Sequence, residues 1–172
     1  MKDFNFYAPT EVVFGKDSEN QLACLVKKYG GTKVLIVYGG GSVKRSGLLD
    51  RVEASLAAEG IGYVELGGVQ PNPIDTKVYE GIELGRKEQI DFILPVGGGS
   101  AIDTAKAIAV GIPYEGDFWT FYLHQESIKA AIPVATVLTI PAAGSEGSGN
   151  RVSTNTTTST IVRIGVTQIC EY

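Results

Sequence analysis

Histidine is almost absent: His124 is the single one in 172 residues. It could be the base of a Ser-His-Asp triad only by standing alone, and it lies outside any ligand-spaced set for a metal. It reads as a surface or loop residue. Cysteine is scarce too, with Cys24 and Cys170 far apart in the chain. Two distant thiols make no disulfide framework and point to a reducing compartment. Cys24 has no basic neighbours to lower its pKa and is expected as a buried structural thiol within a helix. No basic block occurs and the formal net charge is −4, which argues against nucleic acid as the main partner. The longest apolar stretch, Ala130 to Ala143, is broken by Pro133, Thr136, Thr139 and Pro141, so no segment is expected to span a membrane. Met1 to Tyr7 carries no signal-peptide apolar region, and a cytoplasmic setting follows as the expectation. There is neither a G-x-S-x-G elbow nor a G-x-x-x-x-G-K-[ST] loop.

Glycine, by contrast, is abundant at 22 residues, and many fall where strands should end. The chain is organised around Leu94 to Lys106. Ile90 to Val96 is a short apolar run that reads as a buried strand. Ala101 to Val110 places apolar residues at helical spacing. Gly97, Gly98 and Gly99 join the two. Ser100 is placed to cap the helix, with Asp103 completing a capping box. A strand, a glycine turn and a helix N-terminus together can hold a phosphate. The same turn also serves as a plain connection, since it is not the G-x-G-x-x-G fingerprint.

Taken in order, Phe4 to Tyr7 and Glu11 to Phe14 predict an N-terminal β-hairpin around Ala8-Pro9-Thr10. Asp17 or Ser18 is expected to cap a helix carrying Leu22, Leu25 and Val26. Lys33 to Tyr38 is a buried strand, followed by Gly39-Gly40-Gly41-Ser42. Leu48 to Ala58 is an amphipathic helix with Leu49, Val52, Leu56 and Ala57 inward. Ile61 to Leu66 is the next strand. The loop Gly67 to Pro73 follows, then a helix over Ile74 to Lys87 with Val78, Ile82 and Leu84 as its apolar positions. The aromatic group Phe118, Trp119 and Phe121 reads as a patch packing on a neighbour. Ala131 to Ile140 is a further strand, ending at a third glycine-rich loop, Pro141 to Asn150. The alternation of strands and helices implies an α/β fold with a parallel sheet and helices on both faces. Glycine turns at the carboxyl ends of its strands mark the crevice where open sheets take ligands. Residues 1–155 are read as one domain. Residues 156–172 form a divergent, threonine-rich tail in which Ile161 to Ile169 could be a strand.

With these residues in view, the sequence resembles the iron-containing (group III) alcohol dehydrogenase family, in its NADPH-dependent butanol dehydrogenase and aldehyde reductase branch. The matching pieces include Thr10 to Gly15, Tyr38-Gly39-Gly40-Gly41-Ser42-Val43-Lys44 and Pro71-Asn72-Pro73. They continue with Gly97 to Ser100, Asp103 and Lys106, and with Thr139 to Glu146. Their order looks like the family's nucleotide-binding half, a Rossmann-like domain. The resemblance implies that Gly97, Gly98, Gly99, Ser100 and Asp103 hold a cofactor pyrophosphate. It puts Gly39, Gly40, Gly41 and Ser42 at the adenosine ribose and Asn72 beside the cofactor. Thr139, Ala142 and Ser145 would contact adenine and the ribose-phosphate.

An NAD site usually presents an acid to the ribose 2′-OH. The strand here ends Val37-Tyr38-Gly39 without one, while Ser42, Lys44 and Arg45 can supply donors or charge. NADP(H) is therefore expected over NAD(H), although Lys44 and Arg45 also fit an ordinary solvated surface. The family's divalent iron or zinc sits in a C-terminal all-helical domain on one Asp and three His, and those ligands are missing from this sequence. No catalytic residue is assigned. The expected reaction of the whole enzyme is hydride transfer between NADP(H) and a small primary alcohol or aldehyde, with a homodimer as the candidate assembly. The chain itself reads as a truncated, inactive product, and the expectation extends to an altered reading frame at its end. The alternatives are a non-catalytic nucleotide-binding or assembly module, and another superfamily member such as a glycerol dehydrogenase or a dehydroquinate synthase.

Overall fold

Val34, Leu35, Ile36 and Val37 are all wholly buried. A strand that is apolar on both faces must be central, with a layer on each side. This is β1 (Lys33–Tyr38), preceded by α1 (Leu22–Lys28) and followed by α2 (Ser42–Arg45) and α3 (Leu48–Ala58). Next come β2 (Gly62–Leu66), α4 (Asp75–Lys87), β3 (Phe92–Gly97) and α5 (Gly99–Gly111). The short α6 (Trp119–Tyr122), β4 (Val137–Leu138), β5 (Arg151–Asn155) and β6 (Thr160–Ile164) complete the order. The structure, a computed structural model, describes residues 10–149 and 151–158, and the backbone of 160–164.

The sheet runs β2-β1-β3-β4, and every pairing in it is parallel. Alternate residues of β1 point to opposite faces. Leu35 and Val37 enter a core with Val78, Ile82, Ala105, Ile108 and Phe118. Val34, Ile36 and Tyr38 enter the other with Val26, Leu49, Val52 and Leu56. So α4, α5 and α6 cover one face, and α1 and α3 the other, as the α/β pattern implies. No helix among the described residues is long and apolar enough to cross a membrane.

Several expectations need correction. Glu11 to Phe14 forms no strand, and the other arm of the expected hairpin lies outside the described residues. Neither Asp17 nor Ser18 caps α1: a 3₁₀ turn, Ser18–Gln21, leads into it without a side-chain cap. Cys24 is exposed, because Leu22, Ala23 and Val26 form the inner face of α1. Ala57 is exposed as well, and α3 turns Leu49, Val52 and Leu56 inward. The expected strand over Ala131 to Ile140 pairs regularly only at Val137–Leu138, with one bridge from Val134 to Ile93. The aromatic group is buried in this chain's own core, with Tyr122 stacked on Trp119 at 4.8 Å between centroids. The strand expected over Ile161 to Ile169 is β6, antiparallel to β5, and its part beyond Ile164 lies outside the described residues.

The β5–β6 hairpin docks on the start of α4. Thr154 N–H donates to Pro73 O at 2.7 Å, and the Thr156 hydroxyl donates to Asp75 Oδ1 at 2.7 Å. On the same side, α4 and α5 interlock through glycines. A Cβ on Gly81 would fall on Ile108 and one on Gly85 on Ile112, while a Cβ on Gly111 would fall on Ile82. Gly81→Leu should therefore destabilise the fold by about 1–3 kcal/mol through overpacking, read in urea denaturation.

Asp91 joins the starts of β1 and β3. Its carboxylate accepts from Lys33 N–H at 2.8 Å, from Thr32 N–H at 2.9 Å and from the Thr32 hydroxyl. Burial pushes its pKa up, but these hydrogen bonds outweigh burial and hold it below the ordinary carboxylate value. A depressed folded-state pKa gives stability that is present at neutral pH and is lost as pH falls through the folded value. Asp91→Asn should cost about 1–3 kcal/mol at pH 7. That difference from the parent should shrink below about pH 4, as urea midpoints across pH would show.

Candidate functional site

The carboxyl ends of β1 and β3 leave the sheet side by side, because Tyr38 pairs with Val96. The next residues are Gly39 and Gly97, each opening a glycine turn. The strand order reverses here: the chain steps from β1 out to β2, then returns past β1 to β3. Such a reversal opens a crevice at the carboxyl edge of the sheet, the switch point of doubly wound folds.

The glycines at this edge do two different jobs. A Cβ on Gly39 would sit 3.2 Å from Val69 O, and one on Gly97 would sit 3.1 Å from Ala101 Cβ. Both are there for close packing. At Gly40 and Gly98 a Cβ would meet nothing within 4 Å. These two leave bare main chain beside open space, a cradle that a side chain would fill. Gly41 lies under the Arg45 guanidinium, whose Nη1 is 2.7 Å from where a Cβ would be. Ser42 is exposed at the start of α2 and caps nothing.

The start of α5 differs from the expected capping box. Gly98, in an extended conformation, takes the cap position, and no side chain caps the helix. Its carbonyl accepts from Ala101 N–H at 3.1 Å and Ile102 N–H at 3.2 Å. The chain enters the helix two residues earlier than expected, so Ser100 is already inside it and its carbonyl accepts from the Thr104 hydroxyl. The N–H groups of Gly99 and Ser100 come before the first of these bonds and stand at the positive end of the helix dipole. Asp103 faces the third glycine loop and β5 instead of the helix start. Burial pushes its carboxyl up, against the pull of Lys106, the Val152 N–H, Ser145 and Arg151.

Lys106, one turn further along α5, holds that third loop. Its ammonium donates to the carbonyls of Ser145 and Ser148, and burial lowers its pKa while Asp103 opposes the shift. This places the Ser145 hydroxyl 3.6 Å from where a Cβ on Gly99 would lie. Thr139 N–H donates to Gly97 O at 3.1 Å. Gly39 to Ser42, Gly97 to Ser100, Thr139 and Ser145 are thus gathered along one edge. Asn72 and Ala142 stand exposed on flanking loops, Asn72 with a left-handed φ of 59°. His124 is exposed on a turn, and no group of three His, Cys, Asp or Glu among the described residues could hold a metal.

Sequence reasoning missed Arg151. It is 0% exposed, and none of its three guanidinium nitrogens meets an acceptor among the described residues. Its charge rests 5.4 Å from the centre of the Tyr122 ring. Burial drags its pKa down, opposed by Tyr122 and Asp103. Burial also pushes the Tyr122 hydroxyl up, to about 12. No signal in a run reading Gly-Asn-Arg-Val-Ser marks a buried cation. Replacing buried charged groups with apolar side chains of similar volume is often neutral or stabilising. Arg151→Met should raise the stability of the chain by about 1–4 kcal/mol, read as a higher urea midpoint.

The class that this architecture defines is the open, doubly wound α/β fold, with its ligand crevice at the β1/β3 switch point. The iron-containing alcohol dehydrogenase family model matches residues 9–170, and the chain belongs to that family. The NADH-dependent butanol dehydrogenase A of Clostridium acetobutylicum is 44% identical, over 96% of this chain and 42% of its own length. The NADPH-dependent aldehyde reductase YqhD of Escherichia coli is 38% identical, over 92% of this chain and 41% of its own length. Among solved structures, the NADH-dependent butanol dehydrogenase A of Thermotoga maritima superposes with a TM-score of 0.95 at 43% identity. That match covers 97% of this chain and 42% of the other. The chain thus spans about two fifths of the length of these relatives.

Proposed function

We propose that this chain is the nicotinamide-dinucleotide-binding part of an alcohol dehydrogenase or aldehyde reductase. In the whole protein, hydride would pass between NAD(P)(H) and a small primary alcohol or aldehyde. The observation that carries the reading is the pair of open glycines, Gly40 and Gly98, on adjacent turns at the switch point. A dinucleotide is long enough to lie across both turns, and its pyrophosphate needs main chain that it can approach closely.

In this reading, Gly97, Gly98, Gly99 and Ser100 receive the pyrophosphate on the uncapped start of α5. Gly39, Gly40, Gly41 and Ser42 take the adenosine ribose, and Asn72 lies beside the cofactor. Thr139, Ala142 and Ser145 meet adenine and the ribose-phosphate. Asp103 and Lys106 act from behind by fixing the third loop against α5. The bound nicotinamide supplies the hydride chemistry; the residues described here bind and orient it. The described residues do not fit the family's iron or zinc, since none of them forms a ligand set, and no step is derived through a metal. In this reading the 172 residues by themselves bind the cofactor without turning over substrate. The binding domain is put at residues 1–155 and the tail at 156–172, on the change to a threonine-rich run. A homodimer and a cytoplasmic setting complete the proposal.

Cofactor choice is the finer part. The end of β1 carries no acid of its own, which favours NADP(H). The relatives include enzymes named for each cofactor, so both belong in the test.

Fluorescence titration of this chain with NADPH and NADH, without added metal, tests the reading. Saturable binding is expected. Gly98→Val, at an extended position with open space around it, should keep the circular-dichroism spectrum and lose binding of both cofactors at least tenfold, about 1.4 kcal/mol. A folded parent that binds neither cofactor, or full binding by Gly98→Val, would overturn the proposal.

A further inference from the structure

An acid does reach the end of β1, from the neighbouring strand. Glu65 in β2 lies beside Ile36 in the parallel ladder. Its Oε2 accepts from the Tyr38 hydroxyl at 2.6 Å and lies 3.5 Å from Lys44 Nζ. Lys44 also rests over the Tyr38 ring, 5.1 Å from its centre. The Tyr38 ring is fixed in turn, because Gly67 packs against it closely enough that a Cβ there would lie 2.7 Å from the ring. Glu65, Tyr38 and Lys44 therefore form one constellation around the turn that carries Gly39, Gly40, Gly41 and Ser42.

The surroundings are acidic. Glu53 on α3 has its pKa raised, first by burial and then by the charges of Glu65 and Asp50. Glu65 stands against Lys44 directly, and Glu53, itself beside Asp50, feels the same lysine. An additional phosphate at this turn would bring about two negative charges into that field. To be neutralised it would draw on Arg45, whose guanidinium lies against Gly41, and on Lys44, which it would have to take away from Glu65.

We propose that Glu65 is a specificity-determining residue for the cofactor: by holding Lys44 over Tyr38 it competes with a 2′-phosphate and weakens NADP(H) relative to NAD(H). The proposal rests on the reading above, in which the adenosine ribose lies on the Gly39–Ser42 turn. Discrimination then comes from a competitor for the cation placed one strand away from the ligand, which sets one ligand against the other. A strand end without an acid of its own is not enough to make a site for a 2′-phosphate.

The test is a set of titrations of the full chain with NADH, NADPH, 5′-AMP and 2′,5′-ADP. The variants are Glu65→Gln, Lys44→Met and the double variant. Glu65→Gln keeps an acceptor for the Tyr38 hydroxyl and removes the charge. It should tighten NADPH and 2′,5′-ADP about three- to tenfold, within the range of exposed charge pairs, and leave NADH and 5′-AMP unchanged within a factor of two. The gain should shrink at high salt and disappear in the double variant. If both cofactors bind and the NADPH-to-NADH ratio stays the same in Glu65→Gln, the proposal is overturned while the binding site stands. If the folded parent binds none of the four, the site reading fails and Glu65 loses its role with it.

Discussion

The parallel ladder between β1 and β3 is the constraint on which the rest depends. It runs from Val34 opposite Phe92 to Tyr38 opposite Val96. Asp91 pins it at the start, where one carboxylate ties Thr32 and Lys33 to the residue before Phe92. A slip of one residue would turn Leu35 and Val37 into the wrong layer and exchange the two cores. It would also move Gly39 away from Gly97. Register, burial and the alignment of the two glycine turns are therefore one condition, set by the same hydrogen bonds and the same alternating side chains.

The site edge is built outward from that ladder. Thr139 donates to the Gly97 carbonyl, and Lys106 reaches from α5 to the carbonyls of Ser145 and Ser148. A lysine used this way takes the place of a cap for a loop whose described residues form no regular structure beyond the 3₁₀ turn at Ser145–Gly147. Its half-buried ammonium costs desolvation, which two carbonyls and the nearby Asp103 offset. The site edge thus stands on local contacts of this chain, even though the chain spans only about two fifths of its relatives' length.

Much of the fold was legible in the sequence where pattern and burial agree. The apolar runs at 33–38 and 92–97 can only be central strands, and α3, α4 and α5 show their inner faces at helical spacing. Legibility failed where tertiary contacts decide. Val134 to Leu138 has strand composition, yet it pairs only briefly because it lies at the sheet's edge. Ser100 looks like a cap, but bare Gly98 takes that place and lets the helix begin earlier. Cys24, inside a helix and without a basic neighbour pattern, reads as a buried structural thiol, but the face of α1 that packs inward is the one carrying Leu22, Ala23 and Val26. At the site, the glycines were readable as turns, but not which of them are needed for packing. Glu65 and Arg151 were invisible because their meaning comes from elements that are neighbours only in space.

The glycine–isoleucine interlock between α4 and α5 bears on motion. Ile108 sits over Gly81, Ile112 over Gly85 and Ile82 over Gly111, so knobs point both ways across one interface. Helices joined by knobs from both sides resist sliding along each other, because any axial step drives a methyl group into backbone. The start of α5 is thereby a fixed abutment rather than a sprung one. A ligand at this edge would meet a helix that does not give way, and any adjustment would fall to the three loops.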